Sequence, residues 1–475
     1  MKQKNIKNTK LHVGAVALKS ARHKGITLMA LIITIVIMLI LATVTIGAIN
    51  GGLFSYAGKA KTGAEEATII EGIQKAYILA KGESNTNWVT EAQMQKQVDS
   101  ILTNTQAVVV QEGDLLIVQI GEKYYEVASN GKVTGPKAFE KIEYVGDITK
   151  GGTCTGTQAN PYRIECIEDL VKLSAMAYNK ETTNTSRYYL LTKDLDFNSI
   201  FSYANYKTKY SYNEEKNAYI PDDSSQTTIK ELCTTGKGFI PIGLDYDSGR
   251  YFKGIFEGNN HHIKNIYINT VNNAALFGGA NGANIKNLTI SGNIIATGGR
   301  AVGFVAEAWV IQLNKCYNKA KIESKNGSAA GIFGNGQSNK ITECGNEGEI
   351  IANGDIAAGV ALEGNTGMNK CYNKGNITNY KAGLRSAVGI CGNPRSGAFI
   401  LKNCYNTGNI ISQKQGASGI TSWFGGTIYN CYTKGDITGS ESRYVARNRA
   451  VTMELFCNLC KLWSFWQTTA LTVEA

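Results

Sequence analysis

The sequence predicts a mainly β protein, a parallel β-solenoid preceded by an N-terminal membrane and stalk helix and a small α+β unit. Three observations indicate this class. A short motif recurs at near-constant spacing, 52 glycines but only 5 prolines are spread over 475 residues, and one uncharged segment is long enough to cross a bilayer. Six segments result: a leader (1–25), a membrane helix (26–48), a stalk helix (49–83), an α+β unit (84–137), the solenoid (138–440) and an atypical tail (441–475).

The leader and the membrane helix are distinguished by charge. Residues 1–25 carry seven Lys or Arg and no acid, within a formal net charge of +11 for the whole chain. The basic balance therefore lies mostly before the apolar segment and does not indicate a nucleic-acid partner. Residues 26–48 carry no charge and form a helix of about 34 Å, enough for a bilayer core of about 30 Å. We expect a single-pass protein of the cell membrane with most of the chain outside.

The junction "KGITL" at residues 24–28 resembles the processing site of type IV prepilins. The resemblance implies that a prepilin peptidase cuts between Gly25 and Ile26, that the new N-terminus is methylated, and that the partners include pilus or type II secretion-like machinery. The family's Glu at the fifth mature position is replaced by Ala30, as in similar proteins of Gram-positive anaerobes, so polymerisation into a fibre is doubtful. A plain anchor helix remains the alternative.

The segment after the anchor predicts a stalk and a small unit. Apolar residues between Ala67 and Ala80 recur at spacings of three and four, which is typical of an amphipathic helix. A short helix over 90–98 and strands over 107–111, 114–120 and 123–129 follow. These elements resemble the α+β part of a pilin, and Gly135-Pro136 marks its expected end.

Two internal repeats dominate the second part of the chain. The first is exemplified by "NKCYNKGNI" at 369–377 and the second by "AAGIF" at 329–333. A unit of about 28 residues cannot bury its apolar face alone, so stacking of successive coils is expected. Alternation along a strand places Cys316 and Asn318 inside and Tyr317 outside. The expected inward ladder comprises Ile266, Leu288, Cys316, Cys344, Cys371, Cys404 and Cys431, and the repeat glycines are Gly303, Gly331, Gly359, Gly389 and Gly419.

These units resemble the GLUG repeat of bacterial surface proteins, and the resemblance covers roughly residues 140–440. It implies a right-handed parallel β-helix, with a capping helix near 168–177 over its first coil. Residues 200–235 are polar and Tyr-rich without a clear period, which favours a loop insertion. Since insertions in solenoids often gather on a binding face, this insertion is the expected place for a ligand contact.

The chemistry-bearing residues do not indicate catalysis. The ladder cysteines are expected to pack as small apolar side chains rather than as disulfides or metal ligands, and the "CNLC" pair at 457–460 has no partner pair. His261 and His262 are expected on opposite faces, and the acids do not recur at one coil position between 316 and 440. We therefore expect no catalytic residues, no metal and no cofactor, and hence no enzyme.

The tail breaks the repeat. Residues 441–475 lose the Asn-Gly character, and Trp463 and Trp466 lie there. This tail is either a helical cap or the product of a lost reading frame, and its status as the natural C-terminus stays open.

The sequence thus predicts a membrane-anchored, pilin-like adhesin whose β-helix binds glycans, matrix or other cells. One alternative is a minor pilin or pseudopilin of a secretion system with the solenoid as a spacer. A second is a carbohydrate-active β-helix enzyme. The ligand itself cannot be read from the residues.

Overall fold

A computed structural model describes residues 53–84, 88–139, 147–182, 186–245, 248–337, 339–364, 367–381, 387–394, 399–414, 416–422, 427–439, 445–446 and 451–453. The chain forms two compact units, residues 1–138 and 139–475. The expected leader, membrane helix and processing residues Gly25 and Ile26 lie outside the described residues, as does nearly all of the tail. Among the described helices, none is long and apolar enough to cross a membrane.

The first unit packs two helices on an antiparallel sheet. Its elements are α1 (Leu53–Glu83), α2 (Glu91–Ile101), β1 (Ala107–Glu112), β2 (Leu115–Ile120), β3 (Lys123–Val127) and β4 (Val133–Ala138), with strand order β1-β2-β3-β4. Ile73, Tyr77 and Ala80 of α1 are buried against Met94 and Val118. The stalk helix and the α+β unit therefore share one core, and β4 continues across Gly135-Pro136.

The start of α2 follows from local sequence. The Thr90 side chain accepts a hydrogen bond from the Gln93 N–H, and the Gln93 side chain accepts one from the Thr90 N–H. This reciprocal capping box satisfies two backbone donors that a helix N-terminus leaves without partners. The cap fixes where α2 begins and turns Met94 and Val98 towards the sheet.

The second unit begins with elements that flank the first coils. They are β5 (Tyr162–Ile164), α3 (Ile167–Tyr178), β6 (Arg187–Leu191), β7 (Leu195–Asp196), a 3-10 turn (Ile200–Ser202), β8 (Tyr210–Asn213), β9 (Ala218–Pro221), α4 (Ile229–Thr234), β10 (Gly254–Glu257) and β11 (His262–Thr270). Helix α3 covers the stretch expected as a capping helix and contributes Leu170 and Leu173 to the solenoid core.

The repeat region supplies the remaining strands, grouped here by coil. They are β12 (Phe277–Asn281) and β13 (Asn284–Ala296); β14 (Ala301–Val302), β15 (Val305–Trp309), β16 (Gln312–Asn318) and β17 (Lys321–Ser324); β18 (Ala329–Ala330), β19 (Phe333–Gln337), β20 (Lys340–Thr342), β21 (Gly345–Asn346) and β22 (Ile350–Ala352); β23 (Ala357–Ala358), β24 (Ala361–Gly364), β25 (Met368–Asn369), β26 (Tyr372–Asn373) and β27 (Ile377–Asn379); β28 (Ala387–Val388), β29 (Cys391–Pro394), β30 (Ile400–Lys402), β31 (Tyr405–Asn406) and β32 (Ile410–Ser412); β33 (Ala417–Ser418), β34 (Thr427–Thr433) and β35 (Ile437–Gly439); and finally β36 (Val445–Ala446) and β37 (Val451–Met453).

These strands stack as a parallel β-solenoid of about nine turns. One parallel ladder runs through β5, β6, β10, β13, β16, β20, β25, β30 and β34, one strand per turn. Separate ladders run through β14-β18-β23-β28-β33-β36 and through β12-β15-β19-β24-β29. Each coil therefore advances the structure by one strand spacing, about 4.8 Å. The expected parallel β-solenoid is confirmed, while its handedness stays a prediction.

One corner of each coil depends on a left-handed residue. In seven successive coils the residue at this corner has a positive φ without being glycine: Asn260, Asn287, Lys315, Glu343, Lys370, Asn403 and Asn430. Asn tolerates this conformation better than other residues with a Cβ, and Asn occupies four of the seven positions. The corner separates the first strand of a coil from the inward-facing ladder residue that follows it.

Candidate functional site: a groove along the solenoid

The cysteine positions form one buried ladder. Leu288 pairs with Cys316, and the neighbouring registers align Cys344, Cys371, Cys404 and Cys431 in the following coils. All are at most 2% exposed and the cysteines are free thiols. Burial raises the pKa of Cys344. The pKa of Cys404 is also raised, mostly by its hydrogen bond with Cys371 and in smaller part by burial. Protonated, buried thiols of this kind pack as apolar side chains and react slowly.

Ile266 does not belong to this ladder, which corrects the expected set. It is buried but pairs with Gly292, whereas Ile263 pairs with Ile290. The physical reason is a different corner: Asn259 and Asn260 both have positive φ there, and a β-bulge follows before Ile266. The extra residues shift the register, so sequence similarity alone misaligned this coil.

The two sequence repeats face each other across the core. A Cβ on Gly331 would lie 2.4 Å from the carbonyl oxygen of Gly359 and 2.5 Å from the side chain of Asn346. A Cβ on three other repeat glycines would likewise meet the carbonyl oxygen of the next coil's glycine and an asparagine side chain; the pairs are Gly303 with Asn318, Gly359 with Asn373, and Gly389 with Asn406. A Cβ on Gly419 would meet Thr433 instead. The glycine of one repeat thus leaves the space that the Asn of the other repeat fills.

The asparagines form a hydrogen-bonded column of their own. The Asn318 side chain donates to Asn346 Oδ1 at 2.7 Å, Asn346 donates to Asn373, and Asn373 donates to Asn406 at the same distance. Each amide also donates to a backbone carbonyl two residues on, such as that of Gly348. All four are fully buried, so the column satisfies polar groups that burial alone would destabilise.

The outer surface is concave between two neighbouring ladders, the one that contains β14, β18 and β23 and the one that contains β15, β19 and β24. Val302, Ala306 and Ala275 form a buried cluster separate from the central core, and so do Ala330, Ile356, Ala358 and Leu362. Side chains that are buried yet lie outside the central core indicate a concave corner. The third residue of β15, β19, β24 and β29 follows this corner in successive coils, and these residues are Glu307, Asn335, Glu363 and Asn393.

A groove of about 420 Å³ lies beside this corner and crosses several coils. Gly299, Gly327 and Gly354 recur along it, and a Cβ on Gly327 would lie 2.2 Å from the Gly299 carbonyl oxygen. Close stacking therefore excludes side chains from this row. The polar residues that line the groove are Asn273, Arg300, Asn326, Ser328, Asp355 and Lys381.

One end of the groove is fixed by an ion pair. Arg300 Nη1 lies 2.9 Å from Glu307 Oε1, and the Asn273 amide donates to the same oxygen at 3.2 Å. The backbone N–H of Arg300 donates to Asn273 Oδ1. These contacts hold the Glu307 carboxylate, while Asp355 and Lys381 line the groove in later coils. A row of glycines beside the amides of Asn273 and Asn326 and the hydroxyl of Ser328 suits an extended polar ligand.

The insertion at 200–235 differs from the expected loop. It contains a β8–β9 hairpin and α4, and Tyr203, Tyr210 and Tyr219 are buried in the solenoid core cluster. Its tyrosines therefore pack inwards because a polar hairpin has to bury aromatic surface to be stable. Few of them are left to contact a ligand. Sequence reasoning missed the groove, although the 28- and 27-residue spacing of Gly299, Gly327 and Gly354 marks it.

His261 and His262, which the sequence places side by side, both contact one carboxylate, that of Asp194. Asp194 accepts from the His262 backbone N–H at 3.0 Å, contacts the His261 ring at 3.2 Å and pairs with Lys264 at 2.9 Å. Burial alone would raise the pKa of Asp194, but the Lys264 and His262 hydrogen bonds hold it below its ordinary value. Within the described residues, no group of three or more His, Cys, Asp or Glu is placed to hold a metal.

Comparison with known proteins gives limited similarity. No family model matches the chain. A stretch of 162 residues, 34% of the chain, is 28% identical to Halomucin from Haloquadratum walsbyi and spans about 1% of that protein's length. A crystal structure from Bacteroides ovatus, provisionally described as an immunoglobulin A1 protease, aligns over 63% of this chain and 83% of its own, with 14% identity and a TM-score of 0.41.

Proposed function

We propose that the chain is a membrane-anchored, pilin-like adhesin of the cell surface whose solenoid binds an extended glycan of a matrix or another cell. The groove across the coils is the observation that carries this proposal. Its glycine row lets a ligand approach the backbone closely, and Asn326 and Ser328 add hydrogen-bonding groups. The likeness of a third of the chain to Halomucin fits a surface protein.

Binding without cleavage is the better-supported activity of this groove. Glu307 and Glu363 share one coil position two coils apart, a Cα separation of about 10 Å. Inverting glycosidases use two carboxyl groups that lie about 6.5–9.5 Å apart. However, Arg300 and Asn273 already bind the Glu307 carboxylate, and these contacts give it a structural role at the end of the groove.

The first experiment tests binding in the groove. Asn326 is exposed there, so Asn326→Trp should fill the groove and abolish binding to the glycans that the wild-type chain recognises on an array. Asn376→Trp is the matched control because Asn376 is also exposed, on another face. Equal loss in both variants, or no glycan bound by the wild type, would refute the adhesin proposal. Release of reducing ends would favour the enzyme instead.

The anchoring part of the proposal has its own test. Intact mass and N-terminal sequencing of the protein from its own cells should give a chain that begins at Ile26, with a methylated amine. Such an N-terminus would identify prepilin peptidase as a partner. An uncut leader would leave an anchored solenoid without a connection to pili, and loss of fibres on deletion would favour the spacer alternative.

A further inference from the structure

Positive charge is concentrated in the last three coils of the solenoid. Residues 367–439 contain eight Lys or Arg and a single acid, Asp436, whereas residues 312–363 contain five Lys or Arg and six acids. This asymmetry is not spread over the surface at random. Lys370, Lys374, Lys402 and Lys434 are all exposed, and they lie two or three positions from a row of tyrosines.

The tyrosine row runs along the outside of the coils. Tyr372 and Tyr405 have ring centroids 5.4 Å apart at an interplanar angle of 10°, and Tyr405 and Tyr432 are 5.3 Å apart at 9°. Tyr317 continues the row at 6.3 Å from Tyr372. Tyr372 leans over Gly345, where a Cβ would lie 2.1 Å from its ring. The rings thus stack face to face, one per coil, and the Tyr372 hydroxyl donates to Glu347 Oε1 at 3.1 Å.

The lysines beside this row differ in how far their charge is neutralised. Lys370 and Lys374 pair with Glu343 and Glu347 of the preceding coil, and the Lys374 ammonium also lies 4.7 Å from the Tyr372 centroid. No carboxylate pairs with Lys402 or Lys434 among the described residues. Lys402 lies 5.4 Å from the ring of Tyr429, which is 45% exposed. The uncompensated charge therefore lies at the C-terminal end of the row.

We propose that this basic tyrosine face, Tyr372, Tyr405, Tyr429 and Tyr432 with Lys370, Lys374, Lys402 and Lys434, binds a linear acidic polysaccharide. Each of the three coils contributes at least one of these ammonium groups, which complements a polymer that carries one carboxylate per sugar, and tyrosine hydroxyls hydrogen-bond to sugar oxygens. A single-stranded nucleic acid fits less well, because its bases need open aromatic faces and these faces are already stacked. This surface is separate from the groove, and the inference does not depend on it.

Titration of the full-length chain with polygalacturonate tests the inference. We expect binding that weakens as salt rises from about 20 mM to about 200 mM, because screening acts on exposed charges. The double variant Lys402→Gln/Lys434→Gln should bind about tenfold more weakly, a change of about 1.4 kcal/mol. Lys315→Gln/Lys340→Gln is the matched control from the acid-rich coils and should bind as the wild type does.

Each other outcome overturns the inference. No binding of polygalacturonate at low salt, or equal weakening in both double variants, would show that the face has no specific role. Tighter binding of oligodeoxythymidylate than of polygalacturonate would assign the face to nucleic acid. The Asn326→Trp variant should keep polygalacturonate binding, so that failure at the groove and failure at this face are read separately.

Discussion

Gly331 lies so close to the next coil that there is no room for a Cβ atom at this position. The carbonyl of Gly359 would lie 2.4 Å from an added Cβ, and the amide of Asn346 fills the remaining space from across the core. The residue is not required for its φ, which is not in the left-handed region. Its role is to permit close approach, and this packing constraint recurs at Gly303, Gly359 and Gly389.

Gly331→Ala is therefore expected to lower the free energy of unfolding by about 3 kcal/mol, because backbone cannot move aside as a flexible side chain can. Urea unfolding followed by circular dichroism measures the loss. Gly82→Ala in α1 is the control, since nothing lies within 4 Å of a Cβ there. A Gly331→Ala protein as stable as the wild type would contradict the close approach.

The asparagine column gives a second residue-scale expectation. Asn346→Ala removes the acceptor of Asn318 and the donor to Gly348 and Asn373, so buried polar groups lose partners. A loss of about 2–4 kcal/mol in the free energy of unfolding is expected from such groups. Thr433→Val at the end of the column should cost less, because one hydrogen bond from Asn406 is lost there. Equal costs would argue against a cooperative column.

At the scale of the element, the left-handed corner decides the register of each coil. The spacing of the Cys motif suffices to align Leu288 and the five cysteines, because each of their coils has the same corner. It fails at Ile266, where the Asn259-Asn260 turn changes the number of residues in the corner. A register depends on backbone conformation, which similarity between short motifs does not report.

Lys315 tests the corner. Its φ of 52° is costly for a β-branched residue and acceptable for Asn. Lys315→Val should lower the thermal midpoint of the solenoid, and Lys315→Asn should leave it equal or raise it, with a difference of about 1–2 kcal/mol between the two variants. Two variants of equal stability would show that the corner tolerates any residue.

The cysteine ladder predicts a loss of stability at alkaline pH. Burial first, and contact with Cys316 second, raises the pKa of Cys344 in the folded chain. Below the unfolded pKa of about 8.5 both states keep the proton, and above it the unfolded chain loses a proton that the folded chain retains. The free energy of unfolding should then fall by about 1.4 kcal/mol per pH unit for this thiol.

Urea midpoints between pH 7.5 and pH 10 measure the slope. Cys344→Val removes one titrating thiol and should flatten the decline, whereas Ile350→Val, a buried substitution without a titrating group, should keep the wild-type slope. Parallel curves for all three proteins would indicate that Cys344 titrates alike in both states.

At the scale of the whole molecule, two separate cores indicate two separate unfolding events. Met94 belongs to the core of residues 53–138 and Phe333 to the solenoid core, and both are fully buried. Met94→Ala should lower the midpoint temperature of one calorimetric transition, and Phe333→Ala should lower that of the other. Each substitution is expected to reduce the free energy of unfolding of its unit by about 3–4 kcal/mol. A single transition shifted by both variants would contradict independent units.

The sequence predicts the architecture better than it predicts the binding surface. Repeats at 27 and 28 residues require stacked coils, and alternation correctly places Cys316 and Asn318 inside. The groove escapes this reasoning because its lining residues, such as Asn273, Arg300 and Lys381, belong to different coils and share no motif. The insertion at 200–235 contains a hairpin and a helix that its polar composition did not predict, because composition does not report that Tyr203 and Tyr219 pack on the core; a ligand contact there stays a prediction.

The pairing of each glycine with the asparagine of its own coil has a consequence for how such a protein changes over generations. Four successive coils, those of Gly303, Gly331, Gly359 and Gly389, carry both halves of the match, so an in-frame duplication of about 28 residues there delivers a complete cross-section to the stack. Gain or loss of a unit then alters the reach of the protein by about 4.8 Å and leaves the local fit intact. Length becomes a trait that selection can adjust separately from foldability.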